Sequence, residues 1–243
     1  MEIKNARITF WFQKEPNPKI YVDKLNKTLN DYFFDFNILS VPANIEPTIP
    51  RLNAVSESNH SNIEISLINA RLNTRFDEHY WNDLSLCINY LQERASKLFD
   101  ALSNCNINIL YSAITLNIEQ QNNDSIEILK KHFLHLDSEK NISELGISLS
   151  QEIDNKFYEI INFNTIKQIK IEKQILNEGE IILPLLSLKD ASEVHNFINI
   201  SIEINDKLGF NLKENHKTKK DDFLKMFQIL DKQTKKEISR FKN

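Results

Sequence analysis

The sequence predicts an antiparallel α+β protein, and three features carry that prediction. Strand-like segments come in runs instead of alternating one-for-one with helices, which argues against a doubly wound parallel sheet. Ile198, Ile200, Ile202 and Ile204 alternate with Asn199, Ser201 and Glu203, the pattern of a strand buried on one face. Trp81, Leu84, Ile88, Leu91, Ala95, Leu98 and Leu102 recur at spacings of three and four, the stripe of a long amphipathic helix.

Taken in order, residues 6–13 are β-branched and aromatic and read as a strand ended by Pro16 and Pro18. Val22, Leu25, Leu29, Tyr32 and Phe33 then predict a helix over 19–34, followed by an extended stretch at 36–41. Three prolines at 42–50 mark an irregular connection. Residues 51–56 and 62–75 read as a hairpin-like strand pair, and the helix follows over 80–103, with Asp77 and Glu78 near its start. A strand at 107–118 and a helix at 124–136 come next. Three consecutive strands are expected at 144–153, 156–163 and 165–175. After the Ile198–Ile204 strand, Phe223, Phe227, Leu230, Thr234, Ile238 and Phe241 mark a terminal helix, with Thr218 as its expected N-cap. A clean strand feeding a long helix occurs twice. Antiparallel sheets, each packed by long amphipathic helices, would form two related halves: residues 1–140, and a β-rich 141–243 ending in a long helix.

A hydrophobic share of 41% with 26% charged residues is enough apolar material for a core and excludes a disordered chain. The net charge of −4 argues against a surface given over wholly to nucleic acid. The charge is uneven, however: residues 213–243 hold ten Lys/Arg against five Asp/Glu, a net of +5, which leaves −9 on the rest. Cys87 and Cys105 have no metal or redox spacing and read as buried thiols. Only Gly146, Gly179 and Gly209 are present, too far apart for a phosphate-cradling loop, so no nucleotide or other cofactor is expected. The start lacks a signal-peptide pattern, and the longest apolar run, residues 181–188, falls far short of a membrane span. A cytoplasmic location away from membranes is the expectation.

Pro50-Arg51 leading into a strand, Tyr80-Trp81 opening a helix, and the Phe197–Ile204 strand before a helix carrying Phe227 resemble a sporadically distributed family of uncharacterised bacterial proteins. That resemblance implies a fold and a bacterial source but no activity. Some such families travel with mobile or anti-phage loci.

His132 and His135 share a helix face and would suit a metal, but no second ligand pair accompanies them, so no metal site is expected. Arg71 and Arg75 share one face of a strand ahead of Asp77, Glu78 and His79. With only six arginines in the chain, this pair is the candidate anion site, since guanidinium forks hold oxyanions; the alternative is a surface salt-bridge network. Lys217, Lys219, Lys220, Lys232, Lys235, Lys236, Arg240 and Lys242 load the C-terminal region. Lys232, Lys235, Lys236 and Arg240 are its candidate phosphate contacts, with Lys167, Lys170 and Lys173 as an extension; the alternative is a solvated helix face. Glu119, Asp124 and Glu127 offer carboxylates without a catalytic motif. A non-enzymatic binding or regulatory protein follows, an accessory subunit of a bacterial multi-protein system, one of anti-phage defence included, with a protein partner or self-association. The alternatives are nucleic-acid binding through the basic C-terminal helix and a cryptic hydrolase or nuclease.

Overall fold

The computed structural model describes residues 1–42, 44–134, 142, 144–170 and 193–241. Helix and strand take near-equal shares, 34% and 36%, with one antiparallel sheet, so the mixed class holds. The expected plural sheets are replaced by a single nine-stranded one, in the order β2-β3-β4-β5-β1-β6-β9-β8-β7. Its strands are β1 Glu2–Phe12, β2 Asn37–Ile38, β3 Leu52–Val55, β4 Ser61–Ile65, β5 Asn69–Arg75, β6 Ile109–Gln121, β7 Gly146–Ile153, β8 Phe157–Lys170 and β9 Glu193–Asn205. The helices are α1 Val22–Leu29, α2 Leu84–Asn104, α3 Ser125–Leu129, α4 Lys207–Leu212 and α5 Lys220–Arg240.

The chain divides into two compact units. The first comprises Met1–Ile118, Leu149–Ile161 and Ser201–Asn243, and it includes stretches of all nine strands. Its core lies between one face of the sheet and the helices α2 and α5. Ile8 and Phe10 of β1, Leu72 of β5, Ile63 of β4 and Ile114 of β6 point into it, each essentially without exposure. Phe10 packs its ring 5.8 Å from Phe99 of α2 and 5.0 Å from Phe223 of α5. The second unit comprises Glu119–Ser148 and Asn162–Ile200. Within it, Asn122 N donates to Asn196 O at 2.8 Å, and the tilted rings of Phe133 and Phe163 pack 4.6 Å apart.

Several local readings are corrected. The expected strand 62–75 is a hairpin of β4 and β5, because the Ser66 hydroxyl accepts from the amides of Ile68 (3.2 Å) and Asn69 (3.0 Å) and turns the chain. The helix expected at 80 begins at Leu84, where the Asp83 carboxylate caps the Leu86 amide at 2.9 Å. Asp77 and Glu78 therefore belong to the preceding turn. The strands expected at 156–163 and 165–175 are one strand over their described length. The helix expected at 124–136 is α3 followed by a π-helical turn at Lys130–Leu134. Thr218 does not cap α5; its hydroxyl donates to Asp206 instead. The boundary expected between residues 140 and 141, the apolar run 181–188, His135, Lys173 and Lys242 lie outside the described residues.

No helix among the described residues is long and apolar enough to cross a membrane. Cys87 is buried with its thiol donating to Tyr80 O at 3.3 Å, and burial pushes its pKa up to about 12. Cys105 is buried and shifted upward for the same reason. Since the thiolate is the nucleophile, neither cysteine should react with a thiol reagent at pH 8 in the folded protein. Both should react once urea unfolds it; a fast-titrating thiol in the native state would contradict this packing.

Candidate functional site

The alternation of β1 sends Ala6, Ile8, Phe10 and Phe12 to the core, so Asn5, Arg7, Thr9 and Trp11 must face the other way. The register of β1 with β5 sets Arg75, Asn73, Arg71 and Asn69 directly beside those four. On β4, Asn62 and Glu64 stand opposite Asn73 and Arg71. The β6 residues Tyr111, Thr115 and Asn117 continue the same face: Tyr111 stacks on Trp11 at 5.7 Å, and Asn117 donates to Asn5 at 2.6 Å. In the first unit, α2 and α5 cover the apolar face, while the polar one exposes Asn5, Arg7 and Arg75 and buries Thr9 and Asn69.

Three guanidiniums stand on it without an ion pair among the described residues. Arg7 Nε donates to the neutral Asn73 Oδ1 at 3.0 Å. Arg71 stands opposite Glu64, but that carboxylate accepts from Asn73 Nδ2 at 3.3 Å. Arg75 is exposed beside Asn5. At the other end of the face the ring row Trp11–Tyr111 continues to Phe210 of α4, 5.3 Å from Tyr111, with Lys207 Nζ 5.9 Å over the Tyr111 ring. Burial raises the Tyr111 pKa, with Glu203 adding to the shift, so its hydroxyl stays protonated at neutral pH.

Arg71 and Arg75 thus share a face, four residues and roughly 13 Å apart along the strand. Only Arg75 borders a groove of about 550 Å³, lined also by Asn59, His60, Asp77, Glu78 and Trp81. His60 Nε2 lies 3.4 Å from Asp77 in that groove. The two carboxylates offset the arginine, so the groove itself is no anion pocket.

Two of the four basic C-terminal candidates are ion-paired. Lys235 bonds Asp231 at 2.6 Å and Arg240 bonds Glu237 at 2.7 Å, while Lys232 and Lys236 make no ion pair among the described residues. Earlier on α5, Lys220 bonds Asp100 and Lys225 bonds Asp154 at 2.6 Å. Lys156 closes on Asp222. This is charge pairing along a solvated helix. Lys167 is exposed on β8; the side chain of Lys170 and all of Lys173 lie outside the described residues.

Two polar clusters are buried in the first unit. Asp206, fully buried, accepts from Ser112 N (2.7 Å) and Ser112 Oγ (3.4 Å) on one oxygen. Its other oxygen accepts from Thr218 Oγ1 (2.7 Å) and His216 Nε2 (3.1 Å). A hydrolytic triad places the imidazole between hydroxyl and acid. Here the acid stands between them, so Ser112 has no base and the cluster is a structural tie. The second cluster joins Glu159 of β8 and Glu237 of α5, both buried. Glu159 accepts from Gln151 on one oxygen and has no hydrogen-bond partner on the other among the described residues. Burial raises both carboxyl pKa values; the neighbouring Glu237 raises that of Glu159 further, while Lys236 works against the shift in both.

A raised folded-state pKa stabilises the fold below the unfolded carboxyl value, and that contribution is lost as pH rises through the folded value. Replacing Glu159→Gln keeps the acceptor for Gln151 and removes the charge. The variant should gain about 1 kcal/mol over the parent at pH 8, with the difference vanishing near pH 4, as read by urea unfolding. A parent whose stability climbs with pH across that range would contradict it.

Elsewhere, Glu127 pairs with Lys130 at 2.7 Å. Among the described residues no group of three His, Cys, Asp or Glu is placed to hold a metal ion. Arg7, Trp11 and Tyr111 are not singled out by the sequence as site residues. Their signal was present in the odd positions of β1, but strand periodicity alone does not say which face a helix covers. Comparison of the chain with protein-family models and with curated proteins finds no match.

Proposed function

We propose that this chain is a binding protein, an accessory component that holds its ligand on the polar face of the sheet. The observation that carries this is the set of three guanidiniums, Arg7, Arg71 and Arg75, standing on one sheet face of the first unit without a carboxylate partner among the described residues. On α5, by contrast, Lys220, Lys225 and Lys235 each meet an aspartate. Cations left unpaired on a face whose neighbours are asparagines hold no folding role that needs their charge, since exposed ion pairs contribute only about 0–1 kcal/mol.

The test compares a face variant, Arg7→Glu with Arg71→Glu, against a helix variant, Lys232→Glu with Lys235→Glu, by affinity capture of ligands from the host. Circular dichroism confirms that both fold. The face variant should lose what the parent captures, and the helix variant should keep it. Undiminished capture by the face variant rejects the reading.

Self-association is a second reading, favoured by the sheet edge. The two-residue β2 and its approach expose Phe34 (59%) and Ile38 (54%) beside β3, a short edge whose apolar side chains flank one exposed carboxylate, Asp35. Light scattering should show a dimer that Ile38→Lys dissociates; a monomeric parent excludes it.

A further inference from the structure

We infer that the polar face takes single-stranded nucleic acid, with bases on the Trp11–Tyr111–Phe210 row and phosphates on the arginines. The inference rests on the face being the binding surface and adds its ligand. Arg71 of β5 stands beside Thr9, Arg7 beside Asn73, and Arg75 beside Asn5. The three guanidiniums therefore alternate between β5 and β1, each step advancing two residues, about 7 Å along the strands. This zigzag leads away from Trp11, which is one diagonal position from Arg71.

The two parts match the two faces of a nucleotide chain. Aromatic rings held parallel on a sheet offer flat, sequence-tolerant stacking to unpaired bases, and a line of unpaired cations tracks the backbone. The Trp11 and Tyr111 rings lie within 20° of parallel, and Phe210 is 37% exposed. Asn69, directly opposite Trp11, holds a buried Nδ2 with no hydrogen-bond partner among the described residues. A duplex keeps its bases stacked inside and cannot use the ring row. Two carboxylates share this face and are held by neutral donors, Glu64 by Asn73 and Glu203 by Thr115 and Asn205, so they temper the positive field without pairing the arginines.

The test uses the full chain with a mixed-sequence single-stranded 20-mer, its duplex, and heparin as a base-free polyanion. Binding is followed by anisotropy of labelled oligonucleotide and by tryptophan fluorescence in a Trp81→Phe background, where Trp11 reports alone. The single strand should quench Trp11 and bind at least tenfold tighter than the duplex. Affinity should fall steeply with salt and drop at least tenfold in the exposed-site variant Arg7→Glu with Arg75→Glu. Phe210→Ala, on a partly exposed ring, should weaken the single strand and leave heparin unchanged. Equal affinity for single strand, duplex and heparin, with no quenching, overturns the nucleic-acid inference while leaving the face as an anion-binding surface. Binding that ignores the arginine variant and is lost in the Lys232→Glu, Lys235→Glu variant overturns both. Absence of any oligonucleotide binding overturns this inference alone, because the capture experiment decides the other.

Discussion

Replacing Asp206 with alanine should cost about 3–5 kcal/mol, enough to leave much of the protein unfolded at 37 °C. The side chain is fully buried and accepts from four donors, two on Ser112 of β6 and one each on His216 and Thr218. Removing it strands those donors in a site closed to water, and each stranded group costs about 1–3 kcal/mol. The same carboxylate ties the end of β9 to the middle of the sheet and to the approach of α5. Its loss should therefore lower cooperativity as well as midpoint in a urea titration. A companion change separates the network from the charge. Gly209→Ala would set its Cβ 2.7 Å from His216 Cε1, pushing the imidazole off Asp206 with the acid left in place. It should cost less than Asp206→Ala, and the double variant should cost less than the sum, since both act through His216. Two fully additive losses would show that the imidazole is not part of the tie.

Part of this architecture was legible in the sequence, and the residues show where legibility ended. The Ile198–Ile204 alternation and the Trp81–Leu102 stripe each report a single buried face, and the structure buries Ile198, Ile200, Ile202, Ile204, Leu91, Leu98 and Leu102. Periodicity is local and robust to context. The β4–β5 hairpin escaped because the turn is made by one serine hydroxyl, without the Gly or Asn-Gly pair that ordinarily signals a reversal. Thr218 has the local spacing of a cap, whereas its actual partner, Asp206, is brought in by the fold. Arg71 and Arg75 were visible as a same-face pair, but Arg7 and Trp11 join them only through the β1–β5 register, and no sequence pattern specifies which strands pair across 66 residues. The Glu159–Glu237 cluster could not have been found from either residue alone.

Truncating Phe223 to alanine should destabilise the fold by about 3–5 kcal/mol, the range for removing a fully buried aromatic ring. The ring is completely buried on the first turn of α5, and it meets Phe10 at 5.0 Å, Phe99 at 5.6 Å and Phe227 at 5.3 Å. It bridges the strand β1 to both long helices, so the vacated space opens against three rings at once and the rigid sheet can close little of it. Phe223→Leu, which keeps part of the volume, should cost roughly half as much. The consequence for function follows from β1 being shared. Phe10 supports the apolar side of the strand whose opposite side presents Arg7, Thr9 and Trp11. Below its lowered melting point the variant should still present those side chains in register, because the β1–β5 ladder is backbone-bonded and does not depend on the ring. Ligand affinity measured at 10 °C should therefore match the parent within about twofold, while the thermal midpoint falls by about 10 °C. If affinity collapsed at 10 °C with the sheet intact by circular dichroism, the packing of α5 would be setting the geometry of the polar face, and the two sides of the sheet would be coupled.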